Sequence, residues 1–219
     1  MKRRLILLSA PLALMLMAGA ASAELQAYRI DPGHSLVGFN IRHFFSRVSG
    51  RFKDFSGTVQ FDEKNLAGSS VDVTIQSASI DTGNEHRDGD LKGPSFFHSD
   101  SLPTITFKST KVVPGPEKSF MIYGDLTMHG VTKPVTLEAT LLGAGQVAMD
   151  GRPPRTIAGF EAKTSIDRKD YGIVWNRTLD QGGTMLGDDV AITLTIEASV
   201  ANAMRPQGAP AQAAAPDKK

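Results

Sequence analysis

Residues 31–57, DPGHSLVGFNIRHFFSRVSGRFKDFSG, decide the fold. Val37, Phe39, Ile41 and His43 occupy every second position, with small or polar residues between them. This period of two predicts a β-strand with one apolar face, introduced by a turn at Asp-Pro-Gly. A histidine on the apolar face indicates an interior that is not purely a packed core.

The same alternation recurs along most of the chain. It predicts seven further strands, at residues 57–62, 70–77, 104–112, 119–128, 135–141, 160–166 and 190–198. Eight sequential one-sided strands with short connections favour an all-β, single antiparallel up-and-down barrel, because closure removes exposed sheet edges. A two-sheet sandwich is the alternative. An eight-stranded barrel can hold one small ligand inside.

The two ends of the chain differ from this pattern. Residues 1–23 combine a basic start, an apolar run and Ala21-Ser22-Ala23, which predicts a removed signal peptide and a periplasmic or secreted protein. An uncleaved membrane anchor is the alternative. We expect the barrel at 24–201 and a disordered tail at 202–219, because that tail has three prolines and no aromatic residue.

Composition excludes several classes of protein. Without the three basic residues of the leader, 21 Lys and Arg stand against 23 Asp and Glu, a net charge of −2. No nucleic-acid partner is therefore expected. The absence of cysteine means that this fold needs no disulfide.

Two connections are too long to be simple turns, residues 81–103 and 168–189. The first contains a predicted short helix around residues 84–92, capped by Thr82 or Asn84, and then the pair Phe96 and Phe97. The second contains Tyr171 and Trp175. These aromatic residues either fold over a barrel mouth or plug the barrel end as ordinary core.

Four segments, at residues 31–43, 48–57, 124–135 and 168–176, resemble the YceI-like family of exported lipid-binding proteins. Their motifs are DxxHSxVxFxIxH, VxGxFxxFxG, GxLTxHGVTxPV and RKDYGIxWN, in the order and spacing of the family. The resemblance implies an extended lipocalin-like barrel around a long apolar ligand, typically a polyisoprenoid or an isoprenoid quinone.

One loop departs from the family pattern. Family members usually carry RDxHL followed by DFFD, whereas this chain has RDGDL at residues 87–91 and SFFH at residues 95–98. If this loop contacts a ligand head group, the substitutions at Asp90 and His98 predict a different polar specificity.

With the resemblance, the inward residues become candidate ligand contacts. The predicted apolar wall consists of Val37, Phe39, Ile41, Phe96, Phe97, Phe107, Phe120, Ile122, Leu137, Trp175 and Ile192. The predicted polar end consists of His43, Arg87, Asp88, Arg168 and Asp170. His43 either bonds a quinone carbonyl or phosphate, or is a structural histidine bonded to a neighbouring strand. The four charged residues either latch the two long loops together or contact the head group.

No catalytic motif stands out. The sequence has no His-Glu-x-x-His, no Gly-x-Ser-x-Gly and no cysteine nucleophile, so we expect no enzyme, no metal site and no cofactor beyond a bound isoprenoid-type lipid. The primary hypothesis is a periplasmic carrier that encloses one long apolar ligand. The alternative is an adhesion or stress-related interaction module with a filled core, and a histidine-based hydrolase is weaker. Peripheral membrane contact during lipid exchange and a homodimer are left open.

Overall fold

The computed structural model describes residues 25–149, 151–180 and 182–200, so the predicted leader and tail lie outside the described residues. Its strands are β1 Gln26–Ile30, β2 Leu36–His43, β3 Ser46–Phe52, β4 Phe55–Phe61, β5 Ser70–Gln76, β6 Ile80–Asp81, β7 Thr104–Pro114, β8 Ser119–Met128, β9 Val131–Met149, β10 Arg152–Asp167 and β11 Leu186–Val200. One α-helix, α1 Glu85–Lys92, lies in the first long loop, and the Asn84 side chain caps it by accepting from Arg87 N.

The strands close into an eight-membered antiparallel ring. Strands β1 and β2 lie end to end along β11, β4 and β3 pair with them in turn, and β5 and β6 pair with β4 and β3. From β5 the ring continues through β7, β8, β9, β10 and β11, each paired with the strand before it in this order, and the β1–β11 pairing closes the ring. The predicted up-and-down barrel is confirmed, and the sandwich is not what forms.

Three strands, β1, β3 and the two-residue β6, have no counterpart in the sequence prediction. Strand β1 contributes only Tyr28 and Ile30 to the interior, which is too short an alternation to recognise. In β3, glycine interrupts the inward series of Val48, Gly50 and Phe52, so the period of two does not predict a strand there. In the ring, β1 shares a position with β2, β3 with β4, and β6 with β5. The number of ring positions therefore equals the eight predicted strands.

Strands β9 and β10 form a longer hairpin than the alternation predicted. Their pairing runs from Lys163 with Glu138 to Arg152 with Met149, well beyond the predicted segments. The register shifts between Arg152 and Arg155, where two consecutive prolines cannot donate ladder hydrogen bonds. Proline and a bulge thus coincide at the far end of this hairpin.

The register places both long loops at the same end of the barrel. His43 pairs with Leu186, and the short β8–β9 turn lies at the same level as the start of the β10–β11 loop. We call this the loop end; it comprises the β2–β3 turn, the β6–β7 loop, the β8–β9 turn and the β10–β11 loop. Among residues 25–149, 151–180 and 182–200, no helix is long and apolar enough to cross a membrane.

Candidate ligand-binding cavity

A cavity of about 730 Å³ occupies the interior of the barrel. Every one of the eleven strands contributes at least one lining residue, and most of the lining side chains are apolar. All eleven residues predicted for the apolar wall line it: Val37, Phe39, Ile41, Phe96, Phe97, Phe107, Phe120, Ile122, Leu137, Trp175 and Ile192. The barrel thus encloses an apolar space rather than a fully packed core.

A glycine shapes the wall at Phe39. Gly50 is the cross-strand partner of Phe39, and a Cβ built on Gly50 would overlap the Phe39 ring. The ring therefore lies over the glycine backbone, against the wall. The glycine that hides β3 in the sequence thus keeps a large aromatic side chain from filling the cavity.

Three phenylalanines form the floor of the cavity, at the end opposite the loop end. The ring centroids of Phe61 and Phe160 are 5.2 Å apart, and those of Phe120 and Phe160 are 6.4 Å apart, both in edge-to-face geometry. Tyr28 packs behind Phe61 at 5.9 Å. All four side chains are buried, which makes this end tightly packed.

At the loop end, the two long loops meet through aromatic side chains. Phe96 of the first loop lies 5.3 Å from Trp175 of the second, between ring centroids. Phe97 instead points at the wall, 5.6 Å from Phe52 in edge-to-face geometry. Trp175 lines the cavity while 39% exposed, so it stands between the cavity and solvent. Phe96 and Trp175 cover the mouth, and Phe97 extends the wall.

Arg168, a residue of the predicted polar end, lines the cavity and holds the second loop in place. This side chain is buried, and its guanidinium donates to the carbonyl oxygens of Ile173 at 2.6 Å, Trp175 at 2.8 Å and Gly187 at 2.9 Å. It also bonds the Asp188 carboxylate at 3.2 Å. Since one arginine fixes the backbone on both sides of Trp175, the mouth is pre-shaped by the protein.

Two further interactions anchor the same loop. Lys169 Nζ lies 2.8 Å from Asp188, and this bond, together with the positive charges of Lys169 and Arg168, holds the pKa of Asp188 below its usual range. His129 Nδ1 donates to the Tyr171 carbonyl oxygen at 2.9 Å. His129 therefore joins the β8–β9 turn to the second loop. The Tyr171 phenol of that loop is buried, and burial raises its pKa to about 12.

Polar side chains line the cavity mainly at the loop end. His43 lines it, and its ring makes no hydrogen bond within the described part of the chain; its neighbour Phe44 packs edge-to-face at 4.5 Å. Arg87 also lines it and donates from Nε and Nη2 to Thr82, which leaves Nη1 without a partner among the described residues. Asp90 also lines the cavity, 3.4 Å from His86 Nδ1. These groups can hydrogen-bond the polar end of a ligand.

Two of the predicted polar residues do not line the cavity. The buried Asp88 carboxylate accepts from Thr82 N at 2.9 Å and from Thr82 Oγ1 at 2.5 Å, so it braces the start of the first loop. Asp170 is exposed in the turn after Arg168. The predicted latch between the two long loops is not seen among the described residues. Arg87 bonds within the first loop, and Arg168 bonds within the second.

The sequence prediction missed two lining residues where β11 begins. Met185 and Leu186 line the cavity, yet the alternating pattern in the sequence begins only at Val190. The ladder is irregular between Leu186 and Val190, which breaks the period of two. The one available signal was their position beside the second long loop.

A cluster of three side chains of metal-ligating type lies away from the cavity. The ligand atoms of Asp31, His34 and Glu197 lie within 4.8 Å of one another, and none of these residues lines the cavity. His34 Nδ1 is 3.0 Å from Asp31, whose carboxylate also accepts from Gly33 N. Their mutual hydrogen bond lowers the pKa of Asp31 and raises that of His34. The cluster fixes the turn between β1 and β2.

Comparison with known proteins agrees with this architecture. The sequence profile of the YceI-like domain matches residues 28–198. The chain belongs to the YceI-like family. Protein YceI of Shigella flexneri is 45% identical over 161 residues, which cover 72% of this chain and 82% of that protein.

Solved structures of two other proteins share the fold of this YceI-like protein. The YCEI protein of Campylobacter jejuni has a TM-score of 0.63 at 30% identity, covering 72% of this chain and 88% of that chain. A polyisoprenoid binding domain from Saccharophagus degradans has a TM-score of 0.57 at 16% identity, and the match covers 81% of this chain and 99% of that chain. The family predicted from the four sequence motifs is confirmed.

Proposed function

We propose that this YceI-like protein is a binding and carrier protein that encloses one long apolar lipid, of the polyisoprenoid or isoprenoid-quinone class. The observation that carries the proposal is the apolar cavity running between the phenylalanine floor and the mouth at the loop end. Its volume lies within the range of small-molecule sites, roughly 300–1,000 Å³. The shared fold with a polyisoprenoid binding domain supports the ligand class.

The energetics favour an apolar tail as the main source of affinity. Each buried methylene contributes about 0.8 kcal/mol, so about ten supply roughly 8 kcal/mol before association costs, close to the micromolar range. His43, Arg87 and Asp90 at the loop end would then orient the polar head group. Because the tail dominates, lipids with different head groups should compete for the cavity.

The predicted signal peptide supports a location outside the cytoplasm, where the protein would carry its lipid across the periplasm. The mass of the purified protein tests this directly, because processing after Ala23 leaves Glu24 as the first residue. A protein recovered from the periplasm with its leader intact would count against export by signal cleavage.

Native mass spectrometry, followed by solvent extraction, tests the ligand proposal. We expect a lipid-sized mass on the gently purified protein, and its release into the organic phase. Protein that always has its bare polypeptide mass, before and after incubation with isoprenoid lipids, would refute the proposal. The interaction module with a filled core would instead yield a co-purifying partner and no lipid.

A further inference from the structure

An unusual surface lies beside the mouth, at the β2–β3 turn. Phe45 is fully exposed, and its neighbour Phe44 has a φ of 50°, a conformation that is uncommon for bulky residues. His43 and Ser46 are paired, so Phe44 and Phe45 are a two-residue hairpin loop, where asparagine and glycine are preferred. Because neither loop position carries asparagine or glycine, the turn conformation does not explain Phe45. Its exposed side chain therefore indicates an interaction with a partner.

Other exposed apolar residues belong to the same region. Phe44 N donates to Met185 O, and Met185 N donates to Arg177 O. Met185 therefore joins the β2–β3 turn to Arg177 of the second loop. Just before Arg177 stand Val174, 63% exposed, and Trp175. Phe45 and Val174 are the two most exposed large apolar residues of the described chain.

Positive charge accompanies these apolar residues. Arg42 and Arg47 are directly opposite each other on β2 and β3, although like charges at such positions are destabilising. Arg42 bonds the carbonyl oxygens of Phe44, Thr184 and Leu186, and Arg47 bonds the amide of Asn40. Neither has an ion-pair partner among the described residues.

Net charge differs between the segments of the loop end. Residues 42–47 and 174–186 contain three arginines and one aspartate, whereas residues 82–103 contain four acidic residues and two Lys or Arg. An anionic partner is therefore favoured by residues 42–47, which carry two arginines and no acidic residue, and opposed by residues 82–103, while residues 174–186 are neutral. We define the Phe45 surface as Phe45, Val174, Trp175, Arg42, Arg47 and Arg177.

We propose that the Phe45 surface docks the protein on a bilayer that contains anionic phospholipid, with Phe45 inserted at the interface. An exposed aromatic tip among arginines is typical of interfacial membrane contacts. The surface adjoins the mouth through Trp175 and Met185, both of which line the cavity. The inference rests on the proposed function, because docking there lets an apolar ligand pass between bilayer and cavity without crossing water.

Vesicle flotation tests the apolar part of the surface. The processed protein is mixed with vesicles of phosphatidylcholine alone, or of phosphatidylcholine with a quarter phosphatidylglycerol. We expect binding to the anionic vesicles and a drop of about tenfold in partition coefficient for Phe45→Ser. The matched control is Leu142→Ser, which removes a 53% exposed leucine from the outer face of β9 and should bind as wild type.

A charge pair of variants tests the electrostatic part. Arg47→Gln should bind anionic vesicles about fivefold more weakly, whereas Lys111→Gln, which removes a lysine exposed on β7, should not differ from wild type. Raising the salt concentration should narrow the gap between wild type and Arg47→Gln.

Several results would overturn the inference. These are no flotation of the wild-type protein, equal binding to both vesicle types, or equal losses for Phe45→Ser and Leu142→Ser. Self-association that is lost in Phe45→Ser would assign the surface to a second copy of the chain. Native mass spectrometry of Phe45→Ser separates the two proposals, because its cavity should still hold lipid if only docking is lost.

Discussion

Replacing Leu137 by tryptophan distinguishes a ligand cavity from a packed core. Leu137 is buried on β9, lines the cavity and pairs with Ile122 across the β8–β9 ladder. Leu141 lies four residues further along the same strand, is also buried, and does not line the cavity. Leu141→Trp is therefore the matched control.

The two substitutions should differ in kind. Around Leu141 the larger side chain overpacks the interior at a cost of about 1–3 kcal/mol, which lowers Tm by roughly 2–12 °C for a domain of this size. At Leu137 the indole enters a cavity of about 730 Å³, so the lipid-free protein should change in Tm by less than about 2 °C. Displacing two or three methylenes of ligand costs about 2 kcal/mol, or roughly thirtyfold in Kd.

Thermal scans of the delipidated variants measure the first effect, and competition between lipid and a fluorescent apolar probe measures the second. The expected result is a Leu137→Trp protein that is stable and binds weakly, beside a Leu141→Trp protein that is less stable. A Leu137→Trp protein that loses as much stability as the control, while retaining its lipid, would refute the assignment of Leu137 to the wall.

Three other perturbations test parts of the structure. Arg168→Ala removes the buried latch and should cost roughly 3 kcal/mol of unfolding free energy, whereas Arg177→Ala should cost little; equal losses in denaturant unfolding would contradict the latch. Burial raises the pKa of Tyr171 to about 12, so its contribution to stability is present below pH 10 and lost as the pH rises towards 12. Urea unfolding at pH 8 and pH 11 should show a smaller loss in Tyr171→Phe than in wild type, and identical losses would refute this. Gly50→Ala should cost about 1–3 kcal/mol by displacing the Phe39 ring, and an unchanged Tm would contradict that contact.

Much of the barrel could be predicted from the sequence because inward apolar residues recur with a period of two. The prediction failed at β1 and β6, where the alternation is too short, and at β3, where Gly50 interrupts it. It also ended β9 and β10 early, because polar and small residues continue their hairpin beyond the apolar stretch. Local pattern identifies the strands that face the cavity, and cross-strand pairing determines their ends.

The candidate site was predictable in composition and less so in contacts. Alternation assigned wall residues such as Phe107 and Ile192 to the interior, because orientation in a strand follows from position. The partners of Arg168 could not be predicted, because the carbonyl oxygens it bonds belong to an irregular loop. The same limit applies to Asp88, whose partner Thr82 is six residues away across a helix start.

A crystal structure of the protein purified without delipidation would test the central claim most directly. The account predicts continuous tubular electron density in the cavity, from the floor at Phe61, Phe120 and Phe160 to a head group near His43 and Arg87. A cavity that contains only separate water peaks, or that is filled by rearranged side chains, would contradict it.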